Sequence, residues 1–131
     1  MGHDTFDIKG ALRDISAGAV TASSNEPALA LPVPAMGHLD CNIGVTAVGN
    51  ANGNETYTFV MAVDSVADFS DAPVELARVA YHRDLGAKGF PISINEEMAK
   101  VFHSDPKFLR VGVELAGSSP TITYGAWLGR S

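Results

Sequence analysis

From residue 28 onward, apolar and polar positions alternate along most of the chain, the pattern of strands with one buried and one open face. The stretch 38–48 sets Leu39, Cys41, Ile43, Val45 and Ala47 against Asp40, Asn42, Gly44 and Thr46. In 56–64, Tyr57, Phe59, Met61 and Val63 oppose Thr56, Thr58, Val60 and Ala62. In 108–115, Leu109, Val111, Val113 and Leu115 take inward parity, with Arg110 and Glu114 outward. Further strands are predicted over 28–33, 74–81, 90–94 and 121–129. About seven or eight short strands at this spacing predict an all-β fold, an antiparallel β-sandwich or jelly roll. One short helix is expected over 96–102, because Asn95 suits a cap and Glu96 and Glu97 suit a first turn.

Residues 1–27 break this pattern. Phe6, Ile8, Leu12, Ile15 and Val20 are spaced among Gly10, Gly18 and the polar run 23–26. They predict an extended N-terminal arm, ordered against its own sandwich or a neighbour. Residues 28–131 form the β-sandwich domain. A chain of 131 residues suits one domain. The start, MGHDTFDIKG, shows no basic segment followed by an apolar run, and no window reaches the roughly eighteen apolar residues of a membrane span. The expectation is a soluble chain without its own secretion signal and without a membrane partner.

The net charge of −6 is unevenly spread: residues 14–77 contain eight acidic residues and no Lys or Arg. No basic stripe is present to neutralise phosphates, which argues against nucleic acid as a partner. The acidic residues are read as keeping loops and strand edges soluble, the competing reading being subunits that meet acid to base.

Candidate chemistry is thin. Asn50, Asn52, Asn54 and Glu55 offer closely spaced oxygen ligands around Gly53, but with a single carboxylate. Asn52-Gly53 is read as a hairpin turn joining strand 38–48 to strand 56–64, with a weak cation site over residues 50–55 as the alternative. Asp64, Asp68 and Asp71 are read as a strand exit with an Asx turn, Phe69 folding back onto the core, rather than as an acid–base set. The pairs His38 with Asp40 and His82 with Asp84 are read as surface contacts. Cys41 sits on inward parity, where a thiol is buried and inert. Trp127 and Tyr124, three apart in a strand, point to opposite faces and make no shared sugar platform. No catalytic residue, metal or cofactor is assigned, and the chain is not expected to be an enzyme.

Three stretches carry a resemblance: "AGAVTASSNEPALALP" (17–32), "ETYTFVMAVDSVADFSD" (55–71) and above all "KFLRVGVELAGSSPTITYGAWL" (107–128). Through them the chain resembles the small jelly-roll capsid cement, or head-decoration, proteins of tailed bacteriophages. The resemblance implies a structural protein on the capsid exterior of the virion, assembled in the host bacterial cytoplasm. Its partners would be the major capsid protein and itself, as a homotrimer, and its task to stabilise contacts between coat subunits. For such a role an arm with spaced apolar anchors adds buried area without a larger body, making Phe6, Ile8, Leu12 and Ile15 candidate interface residues. The competing classes are a carbohydrate-binding or adhesion sandwich, which needs exposed aromatics on one face, and another phage head or tail component.

Overall fold

The computed structural model describes residues 11–30, 38–95 and 107–130. Among them are nine strands: β1 (Ala11–Arg13), β2 (Ser24–Asn25), β3 (Leu29–Ala30), β4 (His38–Val48), β5 (Thr56–Asp64), β6 (Val74–Tyr81), β7 (Lys88–Asn95), β8 (Phe108–Ala116) and β9 (Ile122–Arg130). They form two antiparallel sheets, β1-β9-β4-β7 and β2-β8-β5-β6, with β3 also pairing β8. The expected all-β sandwich is therefore the fold. Single 3₁₀ turns at Ile15–Ala17 and Arg83–Leu85 are the helical elements of the described residues. Asn95 closes β7, and the helix expected over 96–102 lies outside the described residues.

The core lies between the inner faces, and the alternation explains its membership. Tyr57, Phe59, Met61 and Val63 of β5 face Cys41, Ile43 and Val45 of β4, all buried, with Leu109, Val111, Val113, Ile122, Tyr124, Ala126 and Leu128 beside them. Phe59 is the hub of an aromatic cluster, its ring centroid 5.0 Å from Tyr124, 5.7 Å from Phe90 and 6.1 Å from Tyr81. Such tilted and edge-on contacts add to the area term. One departure from strict parity has a local cause. The β4–β9 register shifts between Val45 and Ala47, so Ala47 leaves the core and Val48 packs on it instead.

The sandwich begins earlier than its alternation does. β1 pairs with β9, Val20 exchanges backbone hydrogen bonds with Ile122, β2 pairs with β8, and Leu12 is in the core at 4% exposure. The expected arm therefore splits. Residues 11–27 lie against this chain's own sandwich, while residues 1–10, with Phe6 and Ile8, lie outside the described residues. Leu12 is correspondingly withdrawn as an anchor for a neighbour, because β9 gives it a complete apolar site at home. For Ile15 only the 3₁₀ backbone is described.

The outer strands β6 and β7 carry features that discourage further pairing. An extra residue, Leu76, bulges β6 between the pairs Ala62–Glu75 and Met61–Ala77. Pro91 sits in β7 opposite Asn42.

Candidate functional site

β5 is bounded by two fully buried carboxylates, Glu55 immediately before it and Asp64 as its last residue, both 0% exposed. Each holds one end of the sandwich together. At the first end three connections meet, because β4 to β5, β6 to β7 and β8 to β9 all cross between sheets. This corrects the expected hairpin: β4 and β5 lie in different sheets, so residues 49–55 arch over the end of the sandwich. Gly53 still supplies the left-handed turn, at φ +75°.

The oxygens of that arch are engaged in ties to neighbouring groups. Glu55 accepts from the backbone N–H of Asn52 (3.2 Å) and of Ser119 (3.1 Å). The Asn54 amide donates to Ser118 Oγ (2.9 Å) and accepts from Ser118 N–H (3.1 Å). Tyr57 OH donates to the Gly49 carbonyl (2.7 Å) and accepts from Thr121 N–H (3.0 Å). Asn50 donates to Asp84 (2.6 Å). A cation over residues 50–55 would have to displace these donors from Glu55. Among the described residues no three His, Cys, Asp or Glu side chains gather as a metal-holding group.

Burial alone would push the Glu55 carboxyl up, but backbone donors at Asn52, Ser119, Glu55 itself and Gly53 outweigh it and hold it below its ordinary 4.5. A depressed folded value means that the ionised form stabilises the fold fully above about pH 4.5, and that this contribution disappears as pH falls through the lower, folded value. Glu55→Gln is thus expected to be less stable than the parent at pH 7 and to lose less on acidification. Urea midpoints from pH 7 to pH 3 check this, and parallel acid profiles would count against it.

At the opposite end Asp64 organises the β5–β6 loop. Its Oδ1 accepts from Ser65 N–H (2.7 Å) and Ala72 N–H (3.0 Å), and its Oδ2 from Asp71 N–H (3.2 Å). Asp68 caps its own turn through Ser70 N–H and Oγ, and Asp71 accepts from Ser65 Oγ. The three aspartates thus serve as loop caps, and their carboxylates do not converge on a shared site. Phe69 is buried, 6% exposed, at φ +56°, but against outward-facing Arg110 and not in the core cluster between the sheets, which corrects the expected fold onto the core. The Arg110 guanidinium lies 4.1 Å from its ring centroid.

The remaining candidates resolve locally. His82 accepts from Asp84 N–H (3.1 Å), capping the 3₁₀ turn, with its Nδ1 3.7 Å from the Asp84 carboxylate. Asp40 accepts from Ser93 Oγ (2.9 Å), and the His38 side chain lies outside the described set. Cys41 is fully buried, and burial pushes its thiol up to about 12, far from nucleophilic use near neutrality. Tyr124 is inside, 0% exposed, while Trp127 takes the outer face of its sheet over Gly44.

Two features were not foreseen. Arg13 staples the chain's beginning to β9. It donates to the Tyr124 carbonyl (3.0 Å), the Gly18 carbonyl (2.7 Å) and the Glu26 carboxylate (2.8 Å), and its guanidinium sits 4.8 Å over the Tyr124 ring. Its position at the edge of the basic-free stretch was the available signal. The second is a groove of about 360 Å³ across the outer face of the β2-β8-β5-β6 sheet. Val60, Ala62 and Gly112 lie among its lining residues, as do Glu75, Arg110 and Glu114. Beside it Arg78 holds both Glu75 (2.8 Å) and Glu114 (2.6 Å).

No protein-family model and no curated protein matches the chain. Among solved structures it is similar to Xylanase10C (mutant E385A) from Cellvibrio japonicus in complex with xylopentaose, at 11% identity and a TM-score of 0.56. The match covers 92% of this chain and 24% of the xylanase chain, so this chain spans about a quarter of that protein. At this identity the likeness is one of fold.

Proposed function

We propose that the protein is a structural virion protein that binds the outer surface of a phage capsid and stabilises contacts between major capsid protein subunits, acting as a homotrimer. The observation that carries this reading is how the chain's start is anchored. Arg13, with ion-pair side chains only 8% and 13% exposed, fixes residue 11 at the edge of a sheet opposite Trp127. Residues 1–10, with Phe6 and Ile8, are therefore tethered to a rigid point. A stiff body preceded in sequence by spaced apolar residues, Phe6 and Ile8, supports clamping, because covalent attachment raises the local concentration of the second contact. Ends laced by Glu55 and Asp64 add the rigidity that docking without reorganisation needs.

The test is co-sedimentation with capsid shells assembled without this protein. The full chain is expected to pellet saturably with shells. A chain lacking residues 2–10, which keeps β1 and the Arg13 staple, should bind about ten-fold more weakly or worse, with its melting temperature measured alongside to separate binding from stability. The deletion stops at residue 10 because Leu12 and Arg13 belong to the sandwich. Failure of the full chain to pellet would overturn the reading. Retention of full affinity without residues 2–10 would remove that segment from it.

A further inference from the structure

We infer that the groove on the outer face of the β2-β8-β5-β6 sheet is a docking site for an acidic segment of a partner protein, with Arg110 receiving an Asp or Glu carboxylate. For the partner's identity this rests on the capsid reading, which makes the segment part of the coat protein.

The inference starts from register. Val60 of β5 lies between Gly112 and Arg78, and Ala62 between Arg110 and Glu75. The outward face thus has small side chains at Val60 and Ala62 bordered by charge, while the space over Gly112 is taken by Ser24 and Asn25 of this chain. The groove's carboxylates, Glu75 and Glu114, are both engaged by Arg78 through four hydrogen bonds of 2.6 to 3.1 Å. They are therefore not available to neutralise Arg110, which makes no ion pair among the described residues. The Arg110 Nε is buried without a hydrogen-bond partner. What holds the guanidinium in place is the face of Phe69, a residue itself kept in the left-handed region at φ +56°. A planar cation oriented by an aromatic face, with no carboxylate of its own, is suited to receive a planar anion.

A protein segment fits better than a free anion for two reasons. The chain's net charge of −6 opposes any anion in bulk solution, so contacts beyond the single carboxylate–Arg110 pair are needed, and a segment can supply them where a small anion cannot. The groove also extends beyond Arg110 along Ser23, Ser24 and Asn25 of the β2 edge, whose polar groups border a peptide-sized trough.

The test has two arms. In the first, the isotope-labelled full chain is titrated with acetyl-Ala-Glu-Ala-Glu-Ala-amide and followed by amide shifts. Saturable shifts at Ala62, Arg110 and Gly112 are expected, with affinity about ten-fold lower for the Gln counterpart. Arg110→Gln should abolish them. Because Arg110 also packs on Phe69, Val60→Glu provides a second variant that places a repelling carboxylate in the groove and leaves that stack alone. In the second arm both variants are co-sedimented with shells, where each should lose about ten-fold or more in affinity. No shifts with the wild-type chain would overturn the inference, as would equal shifts from inorganic phosphate or from maltopentaose. Unchanged shell binding by both variants would also overturn it while leaving the capsid reading standing. Peptide binding by a chain that never pellets with shells would support the groove and overturn the capsid reading.

Discussion

Gly117→Ala is expected to destabilise the sandwich by about 3 kcal/mol, from a left-handed backbone that a side chain disfavours plus overpacking at a closed end. Gly117 adopts φ +109°, and a Cβ there would lie 2.7 Å from both the Asn54 carbonyl oxygen and Glu55 Cα. These are backbone atoms of the arch, held by the Asn54–Ser118 and Glu55–Ser119 ties, so relief means opening the cap. Gly53 provides the control. It is also left-handed, at φ +75°, but a methyl group added there would meet nothing within 4 Å. Gly53→Ala should therefore cost only the conformational part, about 1 kcal/mol. Denaturant unfolding of both variants measures the difference, and equal losses would show that the close approach at Gly117 carries no weight.

Asp64→Ala is expected to cost about 3 kcal/mol, because it strands the N–H groups of Ser65, Asp71 and Ala72 in a part-buried loop. Asp64→Asn keeps one acceptor oxygen and should lose less. Hydrogen exchange at the Ala72 amide gives a local readout, since that N–H bonds Oδ1 at 3.0 Å. Faster exchange there with a lowered unfolding midpoint is the expected pair of results. A stability within about 0.5 kcal/mol of the parent would mean that water replaces the carboxylate without penalty.

The alternation of side chains was enough to place β4, β5 and β6 at their observed bounds, because each strand has one inner and one outer face. It does not say which strand lies beside which. Asn52-Gly53 looked like a hairpin since a left-handed turn between two alternating strands suits both a hairpin and an arch between sheets. The burial of Glu55 was within reach, for it shares the odd parity of Tyr57, Phe59, Met61 and Val63. Asp64 has even parity and is buried by its own loop, which no period reveals. Leu12 escaped because β1 has only three residues, too few to establish a period, and depends on Arg13 and β9 for its place. Arg110 was correctly outward, but its position over Phe69 depends on a loop distant in sequence. Among the described aromatics, Phe59, Tyr81, Phe90 and Tyr124 pack together, with Phe90 part-buried, while Trp127 takes an outer face.

The most direct measurement of the capsid reading is an image reconstruction of the intact particle at a resolution that resolves strands. The expected result is many copies of this two-sheet body on the outer shell, in threefold clusters where coat subunits meet, with residues 1–10 reaching onto the coat. Absence from the particle, or a few copies confined to a portal or tail, would contradict it.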